Sequence, residues 1–132
     1  MSEFKVGVVG VGKMGEYHVG VLSEMREVDL VGVVDSDQER AKKISEQYKT
    51  RSYNNYKDLF NEVDAVVVAV PTSLHYAIGK EFIEAGIHTL LEKPCTDDLS
   101  KAEELFDLAE KKKIILHIGH VERFNGAVQE LF

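Results

Sequence analysis

A single cysteine, Cys95, leaves this chain of 132 residues without the means to form an internal disulfide, which sets aside the disulfide-stapled secreted domains. Tryptophan is absent and the only prolines are Pro71 and Pro94, so little in the chain marks a hinge or linker. No apolar run approaches the roughly twenty residues needed to cross a bilayer, and no signal-peptide pattern precedes Phe4. Positive charge is in deficit: 16 basic against 23 acidic side chains give a formal charge of -7, which opposes attraction to nucleic acid and to anionic membrane surfaces. Repeats and low-complexity tracts are missing as well. Together these absences predict a soluble, cytoplasmic protein with neither nucleic acid nor membrane as partner. The charge runs 39–43 and 110–113 read as solvated helix faces or ends.

What is present is enough for one core: 44% of the residues are hydrophobic, in a chain the size of a single domain. Runs rich in valine and isoleucine recur at Val6 to Val9, Leu30 to Val34, Ala65 to Val70, His88 to Leu91 and Ile114 to Ile118, the pattern of strands buried on both faces. Helical periodicities lie between them: Met14, Tyr17, Val21, Leu22 and Met25; Leu74, Ala77, Ile78, Phe82 and Ala85; Leu99, Ala102, Leu105, Phe106 and Ala109. A weaker helix over 37–48, a short strand over 51–53 and a short helix over 56–60 complete two βαβ-type halves. Right-handed crossovers then predict an α/β fold, a doubly wound parallel sheet of about six strands in the order 3-2-1-4-5-6.

The first strand and helix are joined by Gly10-Val-Gly12-Lys13-Met14-Gly15, a GxGxxG turn. Its first glycine permits a tight turn, its second lets the backbone approach a pyrophosphate, and its third lets the helix pack close to the strand with N–H groups facing the phosphates. The second apolar run ends in Asp35, twenty residues beyond Gly15, where a carboxylate can accept ribose hydroxyls. The combination predicts a dinucleotide site, with NAD favoured over NADP because the Asp35 charge repels a 2′-phosphate. Ser36 and Arg40 stand next to it.

Both prolines fall at strand ends on the edge where open parallel sheets bind ligands. Val70-Pro71-Thr72-Ser73 closes the fourth strand and leads into a helix with His75 in its first turn. The Thr72 and Ser73 hydroxyls are read equally well as helix caps or as cofactor contacts. The fifth strand ends in Glu92-Lys93-Pro94, beside the position of a nicotinamide ring. Lys93 there can hold a substrate hydroxyl or the carboxamide and help move a proton; a salt bridge between Glu92 and Lys93 is the competing reading. His18, His88 and His117 read as packing or strand-edge residues. The five histidines show no spacing that would hold a metal.

These motifs resemble the glucose-fructose oxidoreductase, inositol dehydrogenase and MocA family over nearly the whole chain: the glycine turn with His18, Val70-Pro71-Thr-Ser-Leu-His75, Ala85-Gly86, and Glu92-Lys93-Pro94. The stretch Gly119-His120-Val-Glu-Arg123-Phe-Asn125 is similar to that in members that oxidise the C3 hydroxyl of UDP-N-acetylglucosamine. The resemblance implies an NAD(P)-dependent dehydrogenase acting on a sugar or sugar nucleotide, with a Rossmann domain over 1–120 and a crossover helix beginning over 121–132. It implies Lys93 between nicotinamide and substrate as the catalytic residue. Glu92 would lie near the nicotinamide ribose, His75 toward the same pocket, and His120 and Arg123 toward the sugar. Val70, Pro71 and Thr72 join the cofactor set.

The family's C-terminal substrate domain has no counterpart in these 132 residues, and Gly126 stands where relatives usually carry proline. The chain alone is therefore expected to bind cofactor without turnover. Its surface around Leu91, Val121, Phe124 and Phe132 is expected to be partly uncovered, making it a monomer or weak dimer while the parent protein is a homo-oligomer. The alternative from another class is a free-standing dinucleotide-binding sensor or regulatory module.

Overall fold

The computed structural model describes residues 4–119. Six strands, β1 (Phe4–Val9), β2 (Val28–Val34), β3 (Arg51–Tyr53), β4 (Ala65–Val68), β5 (His88–Leu91) and β6 (Leu116–Ile118), alternate with four helices. The helices are α1 (Lys13–Glu24), α2 (Gln38–Gln47), α3 (His75–Glu84) and α4 (Leu99–Lys112), with single 3₁₀ turns at Tyr56–Leu59 and Thr72–Leu74. All strand pairs are parallel, and the sheet order is β3-β2-β1-β4-β5-β6, a Rossmann arrangement. Strand order reverses between β1 and β4, so the crevice that such sheets offer to ligands lies beyond Val9 and Val68.

Two apolar layers cover the sheet. One packs α1 and α2 against Val6, Val8, Val33 and Val67; the other packs α3 and α4 against Val9, Val66, Val68 and Leu91. Phe82 of α3, fully buried, centres the second layer with the Phe60 ring edge-on at 5.0 Å.

The helices bury part of the expected stripes, Leu22, Ile78, Phe82, Leu105 and Ala109, and add or lose residues beside them. In α1 the buried residues are Gly15, His18, Val19 and Leu22, whereas Met14 and Tyr17 are 42% and 46% exposed. In α3 they are His75, Ile78, Gly79, Phe82 and Ile83, with Leu74 outside. In α4 only Leu105 and Ala109 are buried, and Leu99 and Phe106 face out. Glycine and histidine occupy core positions that an apolar period cannot mark, because close backbone approach and a satisfied ring each substitute for hydrophobicity. Leu91, expected near an uncovered surface, is fully buried; its Cδ2 lies 3.4 Å from where a Cβ on Gly79 would sit. Val121, Phe124, Gly126 and Phe132 lie outside the described residues.

The ends of two strands also differ. β4 stops at Val68 because the chain turns at Val70-Pro71, although Ala69 N–H still donates to Val9 O at 2.8 Å. β6 begins at Leu116 because Ile115 N–H donates to His88 Nδ1 at 3.0 Å. No described helix is long and apolar enough to cross a membrane.

Candidate functional site

The glycine turn follows from two contacts that exclude side chains. Gly10 has φ +92, and a Cβ there would lie 2.6 Å from Ala69 O; a Cβ on Gly15 would lie 1.7 Å from Gly10 O. These two glycines are demanded by the protein itself, which brings α1 hard against the end of β1. Gly12 is different. A Cβ there would meet only Arg40 Nη1, at 3.5 Å, so the space in front of it is open. Gly12 is also the N-cap of α1, and the first helical bond runs from Glu16 N–H to Gly12 O at 2.8 Å. The N–H groups of Lys13, Met14 and Gly15 therefore have no intrahelical acceptor, the condition under which a helix start receives an anion.

Asp35 sits one residue beyond β2 and is buried. Its Oδ2 accepts from Val11 N–H and its Oδ1 from Asp37 N–H, both at 2.8 Å. Each oxygen keeps a lone pair for a further donor. Arg40 approaches Asp35 and Asp37 at 3.7 Å and is half exposed.

A cavity of about 530 Å³ opens at this edge, lined among others by Gly10, Gly12, Asp35, Arg40, Val70 and Pro71. It brings together the glycine turn, the β2 carboxylate and the loop after β4, three segments singled out from sequence. Asn54, Asn55 and Tyr56 also line it; they were not anticipated, although their place after the third strand puts them on the same edge. Lys13 and Met14 are exposed at the start of α1, and Gly15 is buried beneath the turn. The open face of Gly12, the free helix start and the paired but unsaturated carboxylate fit the pyrophosphate and ribose of a dinucleotide.

Thr72 is half-buried, and neither it nor Ser73 caps a helix: Pro71 and Leu74 are the N-caps there, with no side-chain cap bond. His75 is not placed as a ligand contact. It is 1% exposed, with Nε2 2.9 Å from Val70 O and Nδ1 3.0 Å from both Pro94 O and Cys95 O, so its polar atoms are spent on the backbone.

The salt bridge between Glu92 and Lys93 does not form. Glu92 instead takes the buried His18 of α1 as its partner, through Nε2 and Oε1; the packing role read for His18 lacked this partner because the two residues are 74 positions apart. Lys93 is exposed, joined to Pro94 by a cis peptide. Its Cε lies 3.9 Å from where a Cβ on Gly119 would sit, and Gly119 has φ +130. The lysine stem thus crosses a glycine at the end of β6, and its ammonium has no ion-pair partner among the described residues. Burial pushes the neighbouring Cys95 thiol above its ordinary value, so it is not poised as a nucleophile. His120 and Arg123 lie outside the described residues.

Comparison with known proteins agrees with this geometry. Residues 4–120 match the family model described as an oxidoreductase family with an NAD-binding Rossmann fold. The chain is 36% identical to the UDP-N-acetylglucosamine 3-dehydrogenase of Acidithiobacillus ferrooxidans, over 99% of this chain and 41% of that protein. The solved structure of that enzyme superposes with a TM-score of 0.86, covering 99% of this chain and 43% of that one. GenD2 from gentamicin A biosynthesis, solved with NAD, is 31% identical at a TM-score of 0.87, covering 90% of this chain and 35% of that chain. KijD10, a 3-ketoreductase from Actinomadura kijaniata solved with NADP, is 28% identical at 0.83, covering 89% and 38%. The chain thus spans about two fifths of the length of these relatives.

Proposed function

Since this chain belongs to the GFO_IDH_MocA oxidoreductase family, with its NAD-binding Rossmann fold, we propose that it forms the cofactor half of a sugar or sugar-nucleotide dehydrogenase. Residues 1–120 make the dinucleotide unit and 121–132 begin the passage out of it. The observation that carries the reading is the arrangement of Asp35 and the Glu92-Lys93 pair on one sheet edge, on either side of the open face of Gly12. Asp35 holds the adenosine ribose, the start of α1 receives the pyrophosphate, and Val70, Pro71 and Thr72 flank its far side. Glu92 faces the nicotinamide ribose.

When bound, NAD supplies the hydride acceptor. Lys93 holds the substrate hydroxyl and takes part in moving its proton, a role open to a side chain on an exposed loop with no ion-pair partner among the described residues. His120 and Arg123 reach toward the sugar. A UDP-N-acetylglucosamine-like substrate is supported by the relative that matches 99% of this chain, and NAD by the family model. The parent protein is proposed to be a homo-oligomer in the cytoplasm.

The chain on its own is proposed to bind NAD without sustained turnover, because hydride transfer also needs the sugar carbon held near contact distance, an orientation worth roughly 7 to 11 kcal/mol of barrier. The test has two arms. The purified chain is titrated with NADH, then incubated with NAD and UDP-N-acetylglucosamine while absorbance of the reduced cofactor is followed. Binding without turnover is expected; sustained turnover would show that neighbouring copies complete the site. In the active parent protein Lys93→Ala should lower kcat by about 10² to 10⁴ with little change in NAD affinity. An unchanged kcat would reduce Lys93 to a surface residue, and a full-length protein that binds NAD without any dehydrogenase activity would leave the sensor reading in its place.

A further inference from the structure

The segment from Glu92 to Asp98 has neither helix nor strand, yet it carries the ammonium on which the proposed chemistry depends. Its regular backbone support ends with Glu92 N–H donating to Val68 O at 3.3 Å. Beyond that point two buried histidines take over. His18 of α1, fully buried, grips the Glu92 carboxylate. His75, at the start of α3, places Nδ1 3.0 Å from the carbonyl oxygens of both Pro94 and Cys95. Lys93 lies between the two points of attachment. The other nitrogen of His75 meets Val70 O at 2.9 Å, and Val70 lines the cavity that opens in front of Gly12. One imidazole thus joins the loop after β4 to the loop after β5.

We infer that His18 and His75 are positioning residues that clamp the Glu92-Lys93-Pro94 loop from both sides, setting where Lys93 stands relative to the nicotinamide end of the cofactor. Both rings are buried, so their polar atoms need partners, and both find them on the loops of the ligand edge. All three partners of His75 are carbonyl oxygens, which only accept, so a neutral ring donates to one loop and lies against the other, and hydrogen bonds to both loops require a proton on each ring nitrogen. The ring spans the gap between the loop after β4 and the loop after β5. His18 acts on the carboxylate, His75 on the backbone, and the two reach the loop from different helices. This inference rests on the reading of Glu92 and Lys93 as the nicotinamide end.

The probes are NADH and ADP, which share the adenosine and the diphosphate, while ADP lacks the nicotinamide and its ribose. His75→Ala and His18→Leu should each weaken NADH binding about three- to tenfold, the range expected from one lost hydrogen bond. ADP affinity should stay within about twofold. His18→Gln, which keeps a donor for Glu92, should restore the NADH affinity. Hydrogen exchange over 92–96 should accelerate in His75→Ala, with β1 and the glycine turn unchanged. Where His75→Ala does not fold, His75→Asn serves in its place, since its shorter side chain reaches only one of the two loops and should give the same selective loss.

Equal weakening of NADH and ADP, or unchanged exchange over 92–96, would overturn the clamp and leave both histidines as core residues. Glu92→Ala separates this from the functional reading. If it leaves the ratio of NADH to ADP affinity as in the parent, the nicotinamide and its ribose lie elsewhere and the proposed function fails with the clamp. If it shifts that ratio while the histidine variants do not, the clamp alone fails.

Discussion

Asp35 Oδ2 accepts a hydrogen bond from Val11 N–H at 2.8 Å, across 24 positions of sequence. The carboxylate at the end of β2 is thereby tied to the middle of the glycine turn, and the two parts of the dinucleotide site are held in register before any ligand arrives.

Asp35→Ala is therefore expected to act twice. On the proposed function it removes a ligand acceptor, and it frees the turn proposed to receive the pyrophosphate. A charge-assisted hydrogen bond is worth about 1.5 to 3 kcal/mol, so NAD binding should weaken by at least an order of magnitude and the gap to NADP should narrow. Calorimetric titration of both dinucleotides into parent and variant measures this. Tighter binding of NADP than NAD by the parent would reassign the pocket to Arg40, whose guanidinium stands 3.7 Å from Asp35.

The three glycines of the turn should separate by what they serve. Gly12→Ala meets only the flexible end of Arg40, so the variant should fold with a Tm close to that of the parent and yet lose NADH binding. Gly15→Ala places its Cβ on a backbone oxygen, so it should unfold at markedly lower temperature. Thermal melts followed by NADH titration decide the matter; retained NADH affinity in Gly12→Ala would mean that the pyrophosphate does not lie against that face.

His88 gives the fold a pH dependence. Burial lowers its imidazole from the ordinary value of 6.5, with the Asp64 carboxylate pulling the opposite way, and Nδ1 accepts from Ile115 N–H at 3.0 Å. The unfolded chain takes up the proton more readily than the folded one. Its contribution is thus full above about pH 6.5 and lost as pH falls through the depressed folded value. Urea midpoints at about pH 7.5 and about pH 5.5 should differ more for the parent than for His88→Gln. Equal differences would relieve His88 of this role.

Most of the sheet was readable from the chain because buried parallel strands write themselves as apolar runs, and β5 begins and ends where its run does; the short, largely exposed β3 is no such run. The helices were located and Leu22, Ile78, Phe82, Leu105 and Ala109 of their expected stripes are buried, but Gly15, His18, His75 and Gly79 also hold core positions while Met14, Tyr17, Leu74 and Leu99 face out. In the candidate site, the meeting of Gly10, Gly12 and Asp35 at one edge could be expected from spacing, because it depends on local turns and strand ends. The pairing of His18 with Glu92 and the three carbonyls around His75 could not, because each contact is a meeting of segments that only the finished fold brings together. That Glu92 pairs with His18 and not with Lys93 is supplied by no local pattern.

The central place of β1 sets a problem for the chain while it is being made. β1 pairs with β2 on one side and with β4 on the other, and Lys5 N–H finds Asp64 Oδ2 across 59 residues. With synthesis at about 5 to 20 residues per second, the β4 side of β1 stays open for some seconds after β2 has left the ribosome. That side offers unpaired backbone groups flanked by Val6 and Val8, which no solvent touches in the finished protein, and an open edge of this kind recruits whatever strand comes first. The yield of folded protein in a foreign host should accordingly respond to translation speed between β2 and β4 more than to temperature of growth or to inducer. Slow codons there lengthen the time in which a neighbouring nascent chain competes with the chain's own β4.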